Sequence, residues 1–113
     1  MIHYKYGKFH KNQIGKIKER LRKQIYFLLL IADPATAENY DVNVIECFKN
    51  VQHFLGGYNS LTGYQKEVVI IASLLEEALI NYIEHFDFAV YRKLILDAGQ
   101  EVLNIKEVDN AEP

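Results

Sequence analysis

Apolar side chains return every three or four residues from about Gln13 almost to the end of the chain. That is the period of a helix with one buried face. A chain so patterned hides its stripes by packing helix on helix. The first stripe, Ile14, Ile17, Leu21, Ile25, Leu28, Leu29 and Ala32, predicts a helix over Gln13–Ala32 with Asn12 as N-cap. Lys16, Arg20 and Lys23 fall on its other side. Asp33-Pro34 stops it, since proline cannot donate and disfavours the α region in the residue before it. A loop, Asp33–Tyr40, leads to Asp41, the expected N-cap of a second helix with Val44, Cys47, Phe48, Val51 and Leu55 on its apolar face. Gly56-Gly57 reads as that helix's end, because glycine adopts the left-handed C′ conformation without steric cost.

Thr62 and Gln65 have the spacing of a capping box, T-x-x-Q, opening a third helix that runs to about His85. Its stripe of Val68, Ile71, Leu75, Ala78, Leu79, Tyr82 and Phe86 is widened by Val69, Ile70, Leu74 and Ile80. This helix reads as the central one, either deep in the bundle or also forming an oligomer contact. Asp87 is expected to cap a fourth helix, in which Phe88, Tyr91, Leu94, Ile95, Ala98, Val102 and Ile105 keep phase through Gly99 to about Lys106. An interior glycine costs about 1 kcal/mol, which burial of that stripe offsets. The predicted fold class is all-α: a small bundle of about four helices over residues 13–106, with a basic, aromatic N-terminal arm over 1–12 and a frayed acidic tail over 107–113. In the arm, Ile2, Tyr4 and Tyr6 alternate with His3 and Lys5, a strand period. One short strand does not stand alone, so the arm is expected to drape over the bundle or to pair with a partner chain.

Charge is distributed very unevenly along this pattern. The net charge of −2 conceals +7 over residues 1–23, from eight cations and Glu19, and −9 over 24–113, from five cations and fourteen acids. A basic end on an acidic body points to a negatively charged partner: nucleic acid, an acidic protein or a second copy of the chain. The longest apolar run, Ile25–Ala32, is too short to span a bilayer. No apolar segment with a small-residue cleavage site opens the chain, and the single Cys47 excludes an internal disulfide. A single-domain cytoplasmic protein is the expectation. Abundant Ile, Lys, Asn and Tyr suggest a low-GC genome, such as that of a Gram-positive bacterium or its phage.

The familiar chemistries are missing from the sequence. A di-metal carboxylate bundle needs Glu-x-x-His pairs, but Lys49, Leu79, Ile80 and Asp87 stand three residues after Glu46, Glu76, Glu77 and Glu84. Neither H-E-x-x-H nor C-x-x-C occurs, and Glu46 and His53, seven apart, read as surface residues. The segment from Gly56 to Gly63 lacks the lysine of a phosphate loop. Cys47 sits on an apolar stripe without the electropositive setting of a reactive thiol. Glu76 and Glu77 are consecutive and diverge by about 100° on a helix, so they form no proton-sharing dyad. No catalytic, metal or cofactor site is expected.

Partner-binding residues are expected in two groups. One is the arm and first helix: Tyr4, Lys5, Tyr6, Lys8, Phe9, Lys11, Lys16, Arg20 and Lys23, with Lys18 and Arg22 adding to the basic footprint. The other is Glu76 and Glu77. The expected function is that of a small non-enzymatic helical binding protein: an accessory or inhibitor of phage or mobile-element origin that occupies a surface on a host defence macromolecule. It would act sterically and electrostatically. One alternative is a nucleic-acid-binding regulator that stacks rings on bases while lysines neutralise phosphates. Another is an oligomeric bundle that sequesters a nucleotide-like ligand. A homodimer is the default assembly.

Overall fold

The computed structural model of the chain describes residues 2–4, 7–9, 11–62 and 66–105, with side chains from residue 15 onward except at 61 and 62. It is an all-α bundle of four helices: α1 (Lys11–Ala32), α2 (Val44–Thr62), α3 (Lys66–Glu84) and α4 (Phe88–Val102). Two three-residue strands, β1 (Ile2–Tyr4) and β2 (Gly7–Phe9), precede the bundle. They pair antiparallel, Ile2 opposite Phe9, His3 opposite Lys8 and Tyr4 opposite Gly7. The arm therefore finds a strand partner in itself, where the sequence reading looked for one in the bundle or in another chain. The alternation that begins at Ile2 resumes beyond Gly7, which supplies the second strand. Lys5, Tyr6, His10 and the 107–113 tail lie outside the described residues, as does Lys106.

The helices run up, down, up and down around one core. Leu21, Ile25 and Leu28 of α1 meet Phe48, Val51 and Leu55 of α2, Val68, Ile71, Leu75 and Ala78 of α3, and Tyr91, Ile95, Ala98 and Val102 of α4. Tyr91 is fully buried at the aromatic end of this core, edge-on to Phe48 and Phe86. Its hydroxyl donates to the Leu28 carbonyl at 2.6 Å, which satisfies a polar group that burial would otherwise orphan. Burial pushes the Tyr91 phenol well above its usual range, reinforced by Tyr82 and Cys47.

Helix limits follow their caps. Asp33 ends α1 and accepts from the Ala35 amide at 2.9 Å, while the Thr36 hydroxyl reaches back to the Leu30 carbonyl. A 3-10 turn at Ala37–Asn39 follows, and Tyr40 packs edge-on against Phe27. Asp87 caps α4 as expected, accepting from the amides of Ala89 and Val90. Asn43, rather than Asp41, caps α2, through a bond from the Glu46 amide at 3.1 Å. Asn12 lies inside α1, which starts at Lys11.

Other boundaries also differ from the sequence reading: α4 ends at Val102, short of the expected Lys106. Gly56-Gly57 does not stop α2, which continues to Thr62. Leu55 and Tyr58 are both buried, so the apolar stripe crosses the glycines and carries the helix with it. Thr62 is the last residue of α2; its expected capping-box partner Gln65 lies outside the described residues. Nor is α3 the central helix. Val68, Ile71, Leu75 and Ala78 are buried, but Val69, Ile70, Ile80 and Ile83 face outward, as does Phe86 beyond the helix end. Among the described residues, no helix is long and apolar enough to cross a membrane.

Candidate protein-binding groove

Helix α1 has two flanks, and its cations divide between them. On the α4 side the packing is closed. Gly99 is buried, and a Cβ there would sit in the Tyr26 ring, 2.7 Å from its hydroxyl. Arg22 lies over that ring, donates to the Tyr26 hydroxyl at 3.0 Å and donates to the Gly99 carbonyl at 3.2 Å. One turn earlier, the Lys18 ammonium donates to the Ile105 carbonyl at 2.7 Å. Both cations thus satisfy carbonyls at the C-terminal end of α4, where the helix dipole favours positive charge. Lys18 and Arg22, expected to belong to the basic footprint, are internal ties.

On the α2 side the seam is open. Ile17, Arg20, Phe54, Gly57 and Tyr58 border a cavity of about 550 Å³. A second cavity of about 460 Å³ lies between Arg20, Lys23, Gln24, Phe27, Cys47 and Val51. Arg20 borders both, so the two hollows adjoin along the α1–α2 seam as a groove with a largely apolar floor and Arg20 at its middle. Lys16, Arg20 and Lys23 stand exposed along the α1 rim, spaced by four and three residues. The Arg20 guanidinium lies 5.7 Å from the centre of the Phe54 ring, where its stem covers apolar surface and its charge stays in water. Lys23 pairs with Glu19 at 3.4 Å, both side chains mostly exposed, a contact that contributes little. The Gln24 side-chain oxygen is buried at the groove wall without a partner.

The opposite rim of the groove is small and neutral. Asn50, His53 and Gly57 are exposed there, and nothing lies within 4 Å of where a Gly57 Cβ would be. Cys47 is half-buried on the wall rather than a full member of the core. Burial and then Glu46 push its thiol up, so it stays protonated and unreactive at neutral pH. Among the described residues, no three His, Cys, Asp or Glu side chains cluster as metal ligands would.

The second expected group lies elsewhere. Glu76 and Glu77 are exposed on α3, on the far side of α2 from the groove, and Glu76 accepts from Gln52 at 3.3 Å. The structure therefore brings Lys16, Arg20 and Lys23 into one row and keeps Glu76 and Glu77 apart from it. The side chains of Tyr4, Lys8, Phe9 and Lys11 are not described, and Lys5 and Tyr6 are outside the described residues. The sequence reading missed Phe54, Tyr58, Phe27 and Gly57. Their available signal was that the α2 stripe continues past the glycines. No family model, curated protein or solved structure matches this chain.

Proposed function

We propose that this is a non-enzymatic protein-binding module whose α1–α2 groove receives an acidic amphipathic helix of a partner protein. The observation that carries this reading is the pairing of an apolar floor with a rim of three cations, interrupted by Glu19 alone. Ile17, Phe27, Phe54 and Tyr58 offer burial, while Lys16, Arg20 and Lys23 offer charge along one edge. Helix-in-groove recognition uses this combination. Gly57 supports it further: an exposed mid-helix glycine costs about 1 kcal/mol relative to alanine, and no internal packing at Gly57 offsets that. A bare backbone on the rim lets an incoming helix approach closely. The mechanism is occupation: the module covers a partner surface and is steered there by charge.

The engagement of Lys18 and Arg22 by α4 weighs against a nucleic-acid surface on α1, because it removes two phosphate contacts from the footprint. The test is fluorescence anisotropy with a labelled acidic amphipathic helical peptide, a basic peptide of the same apolar pattern, a single-stranded oligonucleotide and ATP. The acidic peptide is expected to bind, and Arg20→Glu with Lys23→Glu to weaken it at least tenfold. Preference for the oligonucleotide or for ATP would overturn this reading in favour of the two alternatives.

A further inference from the structure

Helix α3 carries an outward face with no core to serve. Val69 is 54% exposed, Ile80 45% and Ile83 56%. At about 100° per residue, these three lie on one side of the helix, with Glu77 and Glu84 in a row beside them. All five are exposed. Glu76 falls among them, between Val69 and Ile80, and is held toward α2 by Gln52. The face is thus acidic with apolar side chains interspersed, the complement in charge of a groove with an apolar floor and a basic edge.

The spacing matches as well as the sign. Glu77 and Glu84 are seven residues apart on α3, as Lys16 and Lys23 are on α1, and each pair spans about 10 Å along its helix. Like-on-like two-fold pairing does not satisfy these surfaces, and a reciprocal two-fold pairing, groove to α3 twice, needs both on one side of the molecule, whereas the acidic face lies across α2 from the groove. A pair of α3 faces laid on each other sets acid against acid around Glu76 and Glu77, and a pair of grooves sets Arg20 and Lys23 against their own copies. Only unlike faces complement each other.

We infer that the acidic, apolar face of α3 docks into the α1–α2 groove of a second copy, so that the protein assembles head to tail with itself. This rests on the groove being a binding surface and names one occupant of it. Such a contact is heterologous: each copy keeps one groove and one α3 face unfilled until a ring closes or a chain grows. The occupied groove is then closed to another acidic helix, so self-assembly and partner binding compete.

The experiment is sedimentation velocity on the full chain and two surface variants. Gly57→Trp fills the groove at an exposed position where no neighbour stands within 4 Å. Glu77→Lys with Glu84→Lys reverses the edge of α3. The native chain is expected to form species larger than a dimer as concentration rises, and each variant alone to require at least tenfold higher concentration. An equimolar mixture of the two variants is expected to stop at a dimer, since it contains one intact groove and one intact α3 face per pair. A native chain that stays monomeric at its highest soluble concentration overturns the inference, as does a closed native dimer or a mixture that gains nothing. If the native chain is monomeric yet still binds the acidic peptide in an Arg20-dependent way, only the self-partner is lost. If it binds no peptide either, the groove reading falls with it.

Discussion

The two flanks of α1 start from similar material and end differently. Each places an aromatic ring beside an arginine, Tyr26 with Arg22 on one side and Phe54 with Arg20 on the other. Toward α4, Gly99 lets the ring settle against the neighbouring backbone, and Arg22 finds the Gly99 carbonyl. Toward α2, nothing equivalent closes the space, and Arg20 remains exposed over an apolar groove. A glycine buried at a crossing tightens a seam, whereas a glycine on an open rim leaves the seam available. The same residue type thus marks both the seam that holds the fold and the seam that stays open.

The largest expected effect is on the closed side. Ile25 is fully buried between the helices, and Ile25→Ala is expected to cost about 3 kcal/mol, the range for large-to-small changes in a packed core. Phe54→Ala, on the open side, is expected to cost less, about 1–2 kcal/mol, because the ring is only partly buried against the core. Urea denaturation of both variants measures the difference. Equal losses would mean the two seams are packed alike and would break the comparison.

Tyr91→Phe removes the hydrogen bond to the Leu28 carbonyl and is expected to cost about 1–2 kcal/mol. It also has a pH signature. The ordinary tyrosine value is 10.0, and burial raises that of Tyr91 in the folded chain. Its stabilising contribution is complete below pH 10 and is lost as pH rises above it, because only the unfolded chain then releases the proton. Denaturation curves from pH 9 upward should therefore fall less steeply for Tyr91→Phe than for the native chain. Parallel slopes would contradict the buried placement of Tyr91.

The glycines give the sharpest contrast in sign. Gly99→Ala forces Tyr26 off the α4 backbone and away from Arg22, and a net loss of about 1 kcal/mol is expected despite alanine's helix propensity. Gly57→Ala meets nothing and is expected to gain about 0.5–1 kcal/mol. That gain raises Tm by about 2–6 °C for a domain of this size, while binding of the acidic peptide weakens. Thermal melts and anisotropy on the two variants check both signs. The smallest effect is kinetic: Cys47 on the groove wall is expected to react slowly with a maleimide, and more slowly with the acidic peptide bound.

What was legible in the sequence was mostly periodic. The stripes of α1 and α4 include Leu21, Ile25, Leu28, Tyr91, Ile95, Ala98 and Val102, all buried, though not Ile31, and the phase argument that carries α4 through Gly99 is the one that the structure applies to α2. Gly56-Gly57 misled because a C-cap signal and a continuing stripe coexist there, and burial of Tyr58 decides between them. Asp41 and Asn43 are both good caps, and only the start of the stripe at Val44 selects Asn43. The hydrophobicity of α3 was read as depth, although period alone cannot separate a core position from an outward one when apolar residues surround the helix. The groove had no direct signature, because it depends on how closely α1 and α2 approach. Arg20 and Lys23 were nevertheless legible as an outward row, since they fall off the α1 stripe.

The central claim is that the open α1–α2 seam is where a partner binds. The most direct measurement is a two-dimensional amide NMR titration of the native chain with the acidic amphipathic peptide. The account predicts that the shifted amides cluster at Ile17, Arg20, Gln24, Phe27, Phe54 and Gly57, with the seam between α1 and α4 unmoved. Shifts centred on α3 and α4, or on the β1–β2 hairpin alone, would contradict it.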